Sequence, residues 1–101
     1  MINYDKILED CFWDFDFTSD DIKKLAVGSI QEKSFLFQKI LLNSTMLFNA
    51  MKVFIKDDIK YFIDNYTIPK FNYEYIAKRK NMIEVYFFNK PLLIDELKWL
   101  I

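Results

Sequence analysis

Asp14 and Asp16, one residue apart inside Phe12-Trp13-Asp14-Phe15-Asp16-Phe17, are the residues of this sequence best spaced for chemistry. On an extended backbone alternate side chains share a side, so the two carboxylates can hold Mg²⁺ between them. Transferases that work this way add a phosphate-binding Gly-Ser turn or further acids, and neither stands nearby. The structural reading is preferred: two acids that cap helix starts or keep an aromatic segment from aggregating. No metal or cofactor is expected.

The remaining candidates for chemistry are few. There is no histidine, which removes Ser-His-Asp and Cys-His systems and most zinc sites. A single glycine cannot build a phosphate-cradling loop. Cys11 has no basic neighbour and lies on an apolar stripe, so it reads as a buried, inert thiol. Lys78-Arg79-Lys80-Asn81, with Lys70 and nearby tyrosines, is the one candidate for contact with nucleic acid. Successive helical residues diverge by about 100°, so these cations do not form one flat patch, and a solvated helix face is the preferred reading. The chain is therefore expected not to be an enzyme.

The hexamer itself is the anchor for the rest of the chain. A period of two sends Trp13, Phe15 and Phe17 to one side and Phe12, Asp14 and Asp16 to the other. The three aromatics of the first set are expected to be structural pins joining the first helix to the others, with Asp14 and Asp16 as their polar edge. If Trp13 is instead exposed, then Trp13, Asp14 and Asp16 become a candidate partner-binding site.

Helices must position these residues, because one glycine and two prolines leave too little turn chemistry for a sandwich or barrel. Residues 4–11 place Tyr4, Ile7, Leu8 and Cys11 on one face. Thr18 and Asp21 form a capping box for a helix over about 19–27, with Gly28 as its positive-φ terminator. Ser29 and Glu32 repeat the box and open a central helix over 30–42, with Ile30, Lys33, Phe37, Ile40 and Leu41 as its stripe, Leu36 beside it, and Phe35 and Leu42 widening the surface. Ser44 is expected to cap a helix carrying Leu47, Ala50, Met51 and Phe54, and Asp57 one carrying Ile59, Phe62, Ile63 and Tyr66.

Pro69 ends that run, and Asn72 caps a long helix over 73–88, with Phe71 and Ile76 as a hydrophobic staple. Tyr73, Ile76, Ala77, Ile83 and Phe87 are expected on its apolar face, and Glu74, Lys78 and Asn81 largely opposite. Leu93, Leu97, Leu100 and Ile101 suggest a final short helix. The fold class expected is all-α: one domain over 1–101, a compact bundle of six or seven short helices with a short extended aromatic segment at 12–17.

Composition narrows the setting. A hydrophobic fraction of 52% and an aromatic fraction of 19% exclude an intrinsically disordered chain. The net charge of −1 gives no field to draw the chain onto nucleic acid. The one cysteine and the polar, acidic start point to a reducing cytoplasm, and no apolar run approaches the length of a membrane span. With about a fifth of the residues aromatic, some rings must reach the surface, and such patches on small proteins often mark partner sites.

The stretch from Phe12 to Asp16 resembles the Phe-Trp-Asp-x-Asp segment of a group of short bacterial helical proteins. Members of that group accompany nucleotidyltransferase-type toxins of abortive-infection systems in an antitoxin or accessory role. The resemblance implies no catalytic residues and a protein that acts by binding another protein. The expectation is thus a non-enzymatic protein–protein interaction module; the alternative is a small helical nucleic-acid-binding regulator using residues 73–88.

Overall fold

The computed structural model describes residues 2–68 and 70–90. Among the described residues six helices follow one another: α1 (Tyr4–Cys11), α2 (Ser19–Ala26), α3 (Ile30–Asn43), α4 (Leu47–Met51), α5 (Lys56–Asn65) and α6 (Tyr73–Phe88). No strand occurs among the described residues. The radius of gyration is 13.5 Å, against about 13 Å for a compact chain of this length. The expected final helix over Leu93–Ile101 lies outside the described residues.

Local chemistry starts the helices. Both capping boxes form: Asp21 N–H donates to Thr18 Oγ1 at 3.4 Å while Asp21 Oδ2 accepts from the Thr18 N–H at 2.8 Å. Ser29 and Glu32 exchange the same pair at 3.2 and 3.1 Å. Each box satisfies helix-end donors that would otherwise lack a partner. Gly28 serves this second box rather than a left-handed terminator, since no glycine has positive φ. A Cβ there would lie 2.7 Å from Glu32 Oε1, on the carboxylate that turns back to Ser29.

Three other expected starts are made differently. Ser44 Oγ accepts from the Met46 N–H at 3.1 Å, too early in the chain to reach the first turn of α4, which begins after Met46 with no side-chain cap. Asp57 lies inside the first turn of α5, where its charge still favours the helix dipole. Asn72 is left-handed, with φ 54°, and makes no side-chain cap bond. A capping side chain needs an extended backbone at that position. The staple fails with it, and Phe71 stands 80% exposed.

Helix α3 is central, as its broad apolar surface predicts: it packs against α1, α2, α4 and α6. Leu36, Phe37, Ile40 and Leu41 are buried along it, whereas Ile30 at its start is exposed. Lys33 lies on the same stripe because its ammonium reaches Asp58 of α5 at 3.0 Å. Ile7, Ile22, Met51, Ile59 and Ile83 bring the other helices into one continuous core. On the far side, Phe48 stacks on Tyr86 at 4.3 Å, which seats α6 on α4. Tyr73, expected on the apolar face of α6, is exposed at its open end, and Asn81, expected on the polar face, is 4% exposed.

Asp10 ties α1 to the loop before α4. Its Oδ2 accepts from the Thr45 N–H at 2.9 Å and from Thr45 Oγ1 at 2.6 Å, and Lys6 Nζ lies 3.4 Å from Oδ1. Burial opposes the charge, but the Thr45 hydrogen bonds and Lys6 outweigh it and hold the carboxyl below its ordinary 3.8. A carboxyl whose folded pKa is depressed adds stability that is complete above the ordinary value and lost as pH falls through the folded one. Urea titrations from pH 7 down to pH 2 should therefore show Asp10→Asn destabilised at neutral pH and converging with the wild type below pH 3.8. A gap of constant size would exclude this role.

Candidate functional site

The aromatic hexamer follows directly on α1. Phe12 caps that helix, its N–H donating to Leu8 O at 3.1 Å, and the Phe15 N–H then donates to Phe12 O at 2.9 Å. This closes a tight turn whose two central residues are Trp13 and Asp14. A turn cannot keep a period of two: its ends come together on one side while its middle residues project. Phe12 is accordingly 2% exposed and Trp13 77% exposed, the reverse of the expected arrangement. A lone extended segment in an all-helical neighbourhood has no ladder for its backbone groups, and turning lets the chain satisfy them itself.

The phenylalanines of the turn pack together with one from α3. Phe12 lies 5.6 Å from Phe15, 5.2 Å from Phe17 and 5.9 Å from Phe35, measured between centroids. Phe15 and Phe35 are partly open to solvent, and their rings are stacked 6.0 Å apart. Lys39 holds its ammonium 4.9 Å from the Phe15 centroid and 5.8 Å from that of Phe35. The sequence signal for Phe35 and Lys39 was their spacing of four on one helix face. Phe15 and Phe35 thus form one half-open aromatic surface with Phe12 and Phe17 packed against it, and Trp13 projects from the turn beside it with no ring contact among the described residues.

Asp14 and Asp16 border this surface and are exposed. Neither has an ion-pair partner among the described residues, and no group of three or more acids, cysteines or histidines able to hold a metal occurs among them. Cys11, immediately before the turn, is 2% exposed. Burial, then the Asp10 charge, pushes its thiol up to about 12. Relative to an ordinary thiol at 9.0, the thiolate fraction at neutral pH falls about a thousandfold. Iodoacetamide labelling of the native protein should be slower than that of the urea-unfolded chain by at least that factor; comparable rates would show that Cys11 opens to solvent.

The cationic stretch of α6 is divided by the fold. Lys70 is exposed, and Lys78 and Lys80 are half-buried. Arg79 turns inward, its Nε donating to Leu41 O and its Nη2 to Ser44 O and, at 3.3 Å, to Ile40 O. The guanidinium therefore caps the C-terminus of α3, where carbonyls lack helical partners and the dipole is negative. Tyr75 flanks it at 5.4 Å. With Asn81 buried as well, the five candidate residues do not present one surface. No local pattern marks Arg79 for this task, because the carbonyls it meets are some 35 to 39 positions away in sequence.

One further cleft, of about 220 Å³, lies between α3 and α5 and is lined by uncharged residues including Phe37, Gln38, Tyr61 and Tyr66. Tyr66 Oη is buried without a hydrogen-bond partner among the described residues, and burial raises its phenol. The lining offers no carboxylate or amine for acid–base work. No helix among the described residues is long and apolar enough to cross a membrane.

Comparison of the chain with protein-family models, with curated proteins and with solved structures finds no match. The functional reading rests on the site itself.

Proposed function

We propose that this protein is a non-enzymatic protein-interaction module that docks a partner through Trp13 and the aromatic surface around it. The observation that carries the reading is a tryptophan 77% exposed in a turn that is anchored by the buried Phe12. An exposed indole on a rigid support loses little conformational freedom on binding and contributes a large apolar area, as interface anchors do. The resemblance of Phe12 to Asp16 to proteins that accompany bacterial toxins supports an antitoxin or accessory role in the cytoplasm, exercised by covering a complementary apolar surface on the toxin.

Calorimetric titration of the protein with the purified product of the neighbouring gene tests this. Binding is expected, and Trp13→Ala should weaken it at least tenfold, the typical effect of losing an interface anchor. The same substitution should change the unfolding free energy by less than about 0.5 kcal/mol, as for a side chain already in water. Absence of binding would overturn the role; a large loss of stability would show that Trp13 supports the fold.

A second reading, a nucleic-acid-binding regulator using α6, has one observation in its favour. Phe71, Tyr73 and Tyr75 are exposed beside Lys70, and cations interleaved with aromatics suit single strands. Arg79 and Asn81 are engaged inside the fold, so this reading rests chiefly on Lys70 and Lys80. Binding of a single-stranded oligonucleotide that is lost on Lys70→Glu and Lys80→Glu, and that falls steeply with salt, would favour this reading.

A further inference from the structure

Resting on the reading of Trp13 as a docking side chain, we infer that the occupant of this surface is a protein segment presenting arginine or lysine side chains among apolar ones. From Glu9 to Asp21 the chain carries six acids and no basic residue. Three of the six are engaged within the protein: Glu9 and Asp10 with Lys6, and Asp21 with Thr18. Asp14 and Asp16 have no ion-pair partner among the described residues; Asp14 directly follows the exposed Trp13, and the two flank Phe15. Beside Trp13 the chain therefore carries two unpaired carboxylates, against one ammonium, that of Lys39, over the adjoining rings of Phe15 and Phe35.

The rings already show what they hold. Lys39 places an ammonium over Phe15 and Phe35 from one side, and Trp13 has no such cation among the described residues. Indole is the strongest cation-binding ring among the side chains. A partner cation reaching Trp13 finds an indole without a cation of its own and the carboxylates of Asp14 and Asp16 close by along the chain, whereas a phosphate or an acidic segment meets two like charges against the single ammonium of Lys39. Arginine suits the site better than lysine, because a planar, weakly hydrated guanidinium can stack on the indole while donating to a carboxylate. Apolar side chains beside it would cover the open edges of Phe15 and Phe35.

The test is selection of random dodecapeptides displayed on phage against the full chain, with the Trp13→Ala protein as counter-selection. An enriched peptide is then labelled and titrated by fluorescence anisotropy. The expected peptides combine arginine or lysine with leucine, isoleucine or phenylalanine. Their binding should weaken about tenfold in Trp13→Ala and roughly fivefold in the Asp14→Asn, Asp16→Asn double variant, the latter difference shrinking as salt screens it. Both variants change exposed side chains, and matching circular dichroism spectra confirm that they fold.

Neutral or acidic peptides that depend on Trp13, or binding indifferent to the Asp14→Asn, Asp16→Asn change, would overturn the cationic occupant and leave docking through Trp13 standing. Enrichment of no Trp13-dependent peptide would overturn both. A dimer in light scattering that Trp13→Ala abolishes would assign the surface to a second copy of the chain, and would overturn the inference as well.

Discussion

Replacing Arg79 with alanine should lower the unfolding free energy by about 2 to 4 kcal/mol, the range for removing a charged donor from partly buried acceptors. The guanidinium serves Ile40 O, Leu41 O and Ser44 O at once. These carbonyls close the C-terminal turn of the central helix and lead into the loop before α4. Without Arg79, Leu41 O and Ser44 O must find water inside a covered corner, whereas Ile40 O keeps the Ser44 N–H at 3.0 Å. Arg79→Lys keeps the charge but has no planar fork to reach three acceptors, so it should recover less than half of the loss. Urea denaturation of the three proteins measures both values. A loss below about 1 kcal/mol for alanine, the size of one ordinary hydrogen bond, would mean that the carbonyls are hydrated without Arg79, and would contradict its role at the end of α3.

Phe12→Ala should cost about 3 to 5 kcal/mol, as for other large aromatic side chains deleted from a core. Its ring lies within 6 Å of those of Phe15, Phe17 and Phe35, and deleting it opens the floor under the whole aromatic surface. Partner binding should fall too, although Phe12 is too deep for a partner to touch, because the turn that presents Trp13 stands on it. Phe12→Leu, which keeps most of the volume, should cost less than about 1.5 kcal/mol. It should retain most of the binding. The contrast with Trp13→Ala is the decisive one: under the proposed function the stability loss is expected at Phe12 and the loss of association without it at Trp13. Equal stability losses at the two positions would contradict the turn.

The helices were legible because their signals are local. Tyr4–Cys11 and Tyr73–Phe88 emerge with the bounds that periodicity and breakers give, and both capping boxes are read from residues three apart. Expectations failed where a cap depends on backbone conformation rather than residue type. Asn72 has the right side chain in a left-handed backbone, and Ser44 bonds two residues on instead of reaching α4. Gly28 was correctly marked as special but for the wrong reason, since its task is to leave room for the Glu32 carboxylate.

The candidate site was half legible. Its residues, Trp13, Asp14 and Asp16, stand out by type; their orientation does not, because alternation presumes a straight strand and strands need partners. By itself the sequence determined an all-helical chain, the placing of its helices and the want of histidine- or glycine-loop chemistry, all of which follow from composition and from contacts within a few residues. The tertiary structure alone decided that Phe12 turns in and Trp13 out, that Phe35 and Lys39 from α3 complete the aromatic surface, and that Arg79 closes a helix from which some 35 to 39 positions of chain separate it. Those outcomes depend on which distant groups arrive to accept a ring or a donor, and no spacing along the chain encodes that arrival.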